Sequence, residues 1–200
     1  MNERKKVKCN MENYYNENAQ AFLDGTVNAD MSANYKAFLE RLPKDGYILD
    51  AGCGSGRDTK KFMDMGYKVW AIDASSKMCR LASSYTGLEI KQMSFQELEE
   101  REIYDGIWAS ASLLHVREEG LPDVLRKLND ALKPQGILYA SFKYGEFEGE
   151  RNGRYFHDLK EEKAKKLFSS SGFKVINMWI TGDVREGLGD ELWLNIVCEK

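Results

Sequence analysis

The amino-acid sequence predicts an α/β fold, a doubly wound and mostly parallel seven-stranded sheet that ends in an antiparallel C-terminal hairpin. Three observations carry this. From Tyr47 onward, short β-rich runs alternate with amphipathic stretches, the rhythm of parallel strands joined by crossover helices. The first run, 47–51, leads directly into Gly52-Cys53-Gly54-Ser55-Gly56. The last two runs, 173–181 and 191–199, are separated by a turn-rich connection long enough for a hairpin and too short for a parallel crossover.

The opening before residue 30 is polar and Asn-rich and caps the domain, and its basic run Arg4, Lys5, Lys6, Lys8 reads as a frayed, solvated tail. Met31, Tyr35, Phe38, Leu39 and Leu42 recur at spacings of three and four, one face of a helix that Pro43 and Gly46 stop. Strands are predicted at 47–51, 67–73, 88–93, 104–110 and 136–142, and helices at 57–65, 75–85 and 121–132. The third helix carries the apolar stripe Leu121, Val124, Leu125, Leu128, Ala131, Leu132. A loop with Gly145, Gly149 and Gly153 follows, then a helix over 158–170 ending before Gly172. The chain reads as one domain, 1–200: a helical cap or lid over 1–45, a ligand-binding core over 46–143, and an acceptor-side loop, helix and terminal strands over 144–200.

Composition supports a single globular unit. With 42% hydrophobic and 30% charged residues the chain is ordinary for a folded domain. It has no apolar run of transmembrane length and no signal-peptide core, which predicts a cytoplasmic protein. Cys9, Cys53, Cys79 and Cys198 lack metal-ligand spacing, and neither His115 nor His157 completes a zinc pattern, so no metal is expected. A net charge of −3 gives no general electrostatic grip on nucleic acid.

The glycine run at the end of the first strand lets backbone N–H groups approach an anionic or polar ligand at a helix N-terminus. Asp73, at the end of the second strand, is placed to accept hydrogen bonds from both hydroxyls of a ribose. A dinucleotide site uses the same parts, but its third glycine position holds Arg57.

The segments LDAGCGSGRDT and WAIDAS resemble the first two signatures of the class I S-adenosylmethionine-dependent methyltransferases, a Rossmann-like family, and the order of segments fits over 47–143. The resemblance implies S-adenosylmethionine as cofactor. It implies that Asp50 supports the glycine loop and the amino end of the methionine, that Gly52, Cys53, Gly54, Gly56 and Arg57 surround the methionine and ribose, and that Asp73 takes the ribose diol. Ser94 and Phe95 occupy the adenine position, the hydroxyl facing the adenine amino group and the ring covering the base. Tyr14 and Tyr15 resemble the lid of small-molecule members and stand ready to bond the methionine end.

For the acceptor side, His115 follows the fourth strand and is the preferred base or acceptor-orienting residue; packing at a helix start is its other role. Arg151, Arg154, Tyr155 and Arg185 combine donors and aromatic surface in the late segment, where an arginine can clamp an acidic acceptor. The expected activity is in-line methyl transfer to a small molecule, because neither a basic stripe nor an amino-group methylation signature follows the fourth strand. An RNA or protein methyltransferase and a non-catalytic adenosyl-ligand-binding protein are the alternatives.

Overall fold

The sheet is built in the order β3-β2-β1-β4-β5-β9-β8, from strands β1 (Tyr47–Ala51), β2 (Lys68–Asp73), β3 (Lys91–Gln92), β4 (Tyr104–Ala109), β5 (Leu132–Lys143), β8 (Lys174–Gly182) and β9 (Leu192–Glu199). The structure is a computed structural model that describes residues 2–185 and 191–200. The helices are α1 (Asn2–Thr26), α2 (Ser32–Leu39), α3 (Arg57–Asp64), α4 (Ser76–Thr86), α5 (Leu121–Ala131) and α6 (Glu161–Ser170). β1 through β5 pair in parallel, whereas β9 runs antiparallel to both β5 and β8. The predicted seven-stranded mixed sheet is therefore the observed one. Part of the turn-rich connection between β8 and β9, 186–190, lies outside the described residues.

Alternation along the strands sorts the core into two layers. Ile48, Trp108 and Tyr139 meet Tyr35, Phe38 and Phe62 of α2 and α3 on one face. Leu49, Ile107 and Leu138 meet Leu125 and Leu128 of α5 and Phe168 of α6 on the other. α5 buries the apolar stripe read from the sequence, with Pro122 in its first turn, where its missing N–H costs nothing. Among the described residues no helix is long and apolar enough to cross a membrane.

Three expectations change. The strand expected over 88–93 shrinks to Lys91–Gln92, because the N–H groups of Leu88 and Ile90 bond the hydroxyls of Thr86 and Ser83 on α4 instead of pairing with β2. The glycine-bearing loop is a hairpin, β6 (Glu148–Arg151) and β7 (Arg154–His157). Asn152 and Gly153 turn it with φ of 50° and 75°, the left-handed pair that an Asn-Gly hairpin turn requires. The basic opening lies within the helix α1 rather than in a frayed tail.

β1 has β2 on one side and β4 on the other, so the direction of winding reverses there and a crevice opens beyond the carboxyl ends of these strands.

Candidate functional site

A cavity of about 920 Å³ occupies that crevice, near the top of the roughly 300–1,000 Å³ range of small-molecule pockets. Its floor is the glycine loop. Gly52 has φ of +83°, and a Cβ there would stand 2.6 Å from the Cβ of Ser112. The loop backbone is consequently packed directly against Ser112, with no room for a side chain at this position. The N–H groups of Gly52 and Cys53 both bond the carbonyl of Ile72, tying the loop to β2.

Asp73 lines the cavity and receives one backbone N–H on each carboxylate oxygen, from Gly54 at 3.0 Å and Ser75 at 2.8 Å. Each oxygen keeps a further lone pair for a ligand hydroxyl. Burial raises its pKa, opposed by those two bonds. Phe95 and Ser94 line the same end. Ser94 opens a capping box: its Oγ donates to Glu97 Oε2 at 2.5 Å and its own N–H reaches the same oxygen at 2.8 Å. Glu97 lines the cavity too. It places a carboxylate at this end of the cavity, three residues after Ser94.

At the other end, Tyr15 of α1 and His115 meet at 2.9 Å between Oη and Nε2. His115 Nδ1 lies 2.6 Å from the carbonyl oxygen of Tyr155. A carbonyl only accepts, so Nδ1 carries the proton and Nε2 accepts from the Tyr15 hydroxyl. Burial drives the pKa of His115 down to about 4, the Tyr155 carbonyl opposing and the charge of Arg154 adding. The ring is therefore neutral at physiological pH.

α1 lies over the cavity. Phe22, Thr26 and Tyr15 line it; Thr26 Oγ1 donates to Ser55 at 3.1 Å, and Asn16 bonds Ser75 at 2.8 Å. None of these α1 contacts apart from the tyrosine was read from sequence, since the polar opening shows no motif.

Arg57, Arg151, Arg154 and Arg185 all line the cavity. Arg57 is locked in a bidentate pair with Asp58 at 2.6 and 2.9 Å. Asp58 also accepts from Tyr35 Oη at 2.5 Å and Trp108 Nε1 at 2.7 Å. Although burial pushes the Asp58 carboxyl up, Arg57 and these donors hold it below the usual range.

Four candidates stand behind the cavity wall rather than in it. Asp50 is buried beneath the loop and accepts from Thr59 Oγ1 at 2.6 Å, with a pKa raised by burial and by the charge of Asp58; it braces α3 against β1. Gly56 closes the loop against α4, where a Cβ would meet Thr86 at 2.8 Å. The ring of Tyr14 lies against Arg154. Tyr155 contributes its carbonyl to His115, while its hydroxyl donates to Glu148. Trp193 lines the cavity and donates to Asp183 at 3.0 Å.

A family model described as a methyltransferase domain matches residues 48–136, the stretch from β1 into β5. The chain is 31% identical over 153 residues to the N-terminal Xaa-Pro-Lys N-methyltransferase 1 of Xenopus tropicalis, covering 65% of this chain and 67% of that protein. It is 27% identical over 161 residues to an uncharacterized methyltransferase of Staphylococcus carnosus, covering 73% and 78%. Among solved structures, the fold is similar to the 1,6-didemethyltoxoflavin-N1-methyltransferase of Burkholderia thailandensis with bound 1,6-didemethyltoxoflavin and S-adenosylhomocysteine, with a TM-score of 0.77 at 21% identity over 97% of this chain and 87% of that one.

Proposed function

Since the chain belongs to the S-adenosylmethionine-dependent methyltransferases, we propose that it methylates a small-molecule acceptor by direct in-line transfer within the cavity roofed by α1 and the β6–β7 hairpin. The observation that carries this is the half-buried Tyr15–His115 pair at the cavity end beneath that roof. An acceptor must enter a pocket there rather than lie along an open groove.

Bound at this site, S-adenosylmethionine supplies an already activated methyl group, so the chain's contribution is alignment and exclusion of water, of which orientation alone can account for roughly 7–11 kcal/mol in favourable cases. Asp73 and the glycine loop hold the ribose and methionine portions, and Glu97 with Phe95 holds the adenine. Arg57, fixed by Asp58, shapes the methionine end. Tyr15 presents its oxygen to the acceptor. Where the acceptor must lose a proton, that proton moves to the Tyr15 oxygen as the Tyr15 proton passes to Nε2 of neutral His115.

The Xenopus relative's name favours a second reading, methylation of a protein N-terminus. A peptide beginning Xaa-Pro-Lys carries an α-ammonium and a lysine; Lys143, Arg151 and Arg185 of the lining are each paired with a carboxylate, but Arg154 has no such partner among the described residues, which disfavours a cation beside it. The test is to incubate the protein with methyl-labelled S-adenosylmethionine and, separately, a deproteinised metabolite extract or an Ala-Pro-Lys peptide. Label entering extract components supports the small-molecule reading; label entering only the peptide replaces it with the second.

A further inference from the structure

We propose that Arg154 makes the acceptor end of this cavity selective for a methyl acceptor that carries a carboxylate or comparable oxyanion. The inference rests on the small-molecule reading and specifies its substrate class.

The cations around the cavity are not equivalent. Arg57 is paired with Asp58, Arg151 with Asp158, Arg185 with Asp183, and Lys143 with Glu191, while Arg117 is exposed to solvent over the ring of Tyr155. Among the described residues no carboxylate stands within ion-pair distance of Arg154, and its buried Nε has no hydrogen-bond partner. A buried donor without a partner is costly in a folded chain and marks a place where a ligand oxygen completes the bonding.

The guanidinium is also held ready. It lies 4.7 Å from the ring of Tyr14 and 4.9 Å from that of Phe156. Stacking on two aromatic faces fixes the plane of an arginine; beside its hydrogen bond to the Tyr15 hydroxyl, the guanidinium keeps its buried Nε–H for a ligand oxygen. The acidity of that hydroxyl is favoured by the Arg154 charge against the larger effect of burial. An anion on Arg154 is thereby brought next to the Tyr15–His115 pair.

The methionyl carboxylate of the nucleoside has the same chemistry and is the other source of such an anion. Arg154 arises from the β6–β7 hairpin, outside the family-matched segment 48–136. The glycine loop and Asp73, which serve the ligand common to the family, lie within it. A residue from the added hairpin fits the acceptor.

The experiment is a titration of the S-adenosylhomocysteine-saturated protein with benzoate and with its uncharged isostere benzamide. The wild type is expected to bind benzoate at least about tenfold more tightly. R154Q is expected to lose the preference, R154K to keep part of it, and both to bind S-adenosylhomocysteine as the wild type does. Arg154 is in no ion pair among the described residues, and thermal melts report whether each variant is folded. Equal binding of benzoate and benzamide by the wild type, or a preference that survives R154Q, overturns the proposal. A loss of S-adenosylhomocysteine affinity in R154Q as large as the loss for benzoate also overturns it, assigning Arg154 to the nucleoside's own carboxylate. Absence of S-adenosylhomocysteine binding in the wild type strikes the functional reading instead, and the two probes titrated alone still read the selectivity of Arg154.

Discussion

Tyr15 on α1 and His115 after β4 are a hundred residues apart in the chain and 2.9 Å apart in the fold. The bond has a direction, because the Tyr155 carbonyl takes the proton on Nδ1 and leaves Nε2 to accept. Replacing Tyr15 by Phe removes the donor and keeps the ring that packs edge-on against Phe22. Y15F is expected to retain the fold and most nucleoside affinity while methyl transfer slows by roughly a hundredfold, the low end of what a positioned proton-transfer group contributes. Single-turnover assays alongside nucleoside titration check this; an unchanged transfer rate removes Tyr15 from the chemistry.

The same bond makes a prediction about pH. His115 titrates near 4 in the folded protein and near 6.5 when unfolded. Between these values the unfolded chain binds a proton that the folded one does not, so this residue makes the fold less stable as pH falls from about 6.5 to about 4. In His115→Gln that component is expected to vanish, and urea denaturation of both proteins across this range measures it. The same slope in the variant would show that His115 is not held neutral.

Asp58 accepts from Arg57, Tyr35 and Trp108 at once, linking α2, α3 and β4. Asp58→Ala removes the carboxylate from a buried guanidinium, which keeps the Thr26 carbonyl, and leaves two other donors unpaired, and a loss of about 3–5 kcal/mol is expected. Chemical denaturation at neutral pH measures it; a loss under about 1 kcal/mol would mean that the network is solvated.

Glu97 is expected to read the adenine amino group. The wild type should prefer S-adenosylhomocysteine to its inosine counterpart, whose 6-oxo group offers no donor, and Glu97→Gln should narrow the preference. Equal discrimination by both proteins would assign the carboxylate to the Ser94 cap alone.

The parts legible in the sequence are local ones. The run from β1 through Gly56 and the ending of β2 at Asp73 are backbone requirements written in consecutive residues, so the fold and the glycine loop with Asp73 beside it could be read directly. Glu97 was within reach as well, since Ser94 and Glu97 have capping-box spacing, and Asn152-Gly153 is a hairpin signal in plain view. The acceptor end was not legible. Its geometry depends on α1, His115 after β4 and the hairpin meeting across long sequence separations, and no spacing rule distinguishes Arg154 from Arg151 and Arg185, which structure alone shows to be paired. Asp50, read as a support of the glycine loop, adjoins the glycines in sequence, and β-strand alternation turns it beneath them toward Thr59, a partner no spacing rule names.

The central claim is that this cavity binds the adenosyl ligand through Asp73, and calorimetric titration of the wild type and Asp73→Ala with S-adenosylhomocysteine tests it most directly. The account predicts one site per chain in the wild type and an affinity lower by at least about tenfold in the variant, from lost bonds to a charged acceptor. It also predicts a fall of about 1–3 kcal/mol in stability, because the N–H groups of Gly54 and Ser75 lose their partner. Equal affinity in a folded Asp73→Ala protein would contradict it.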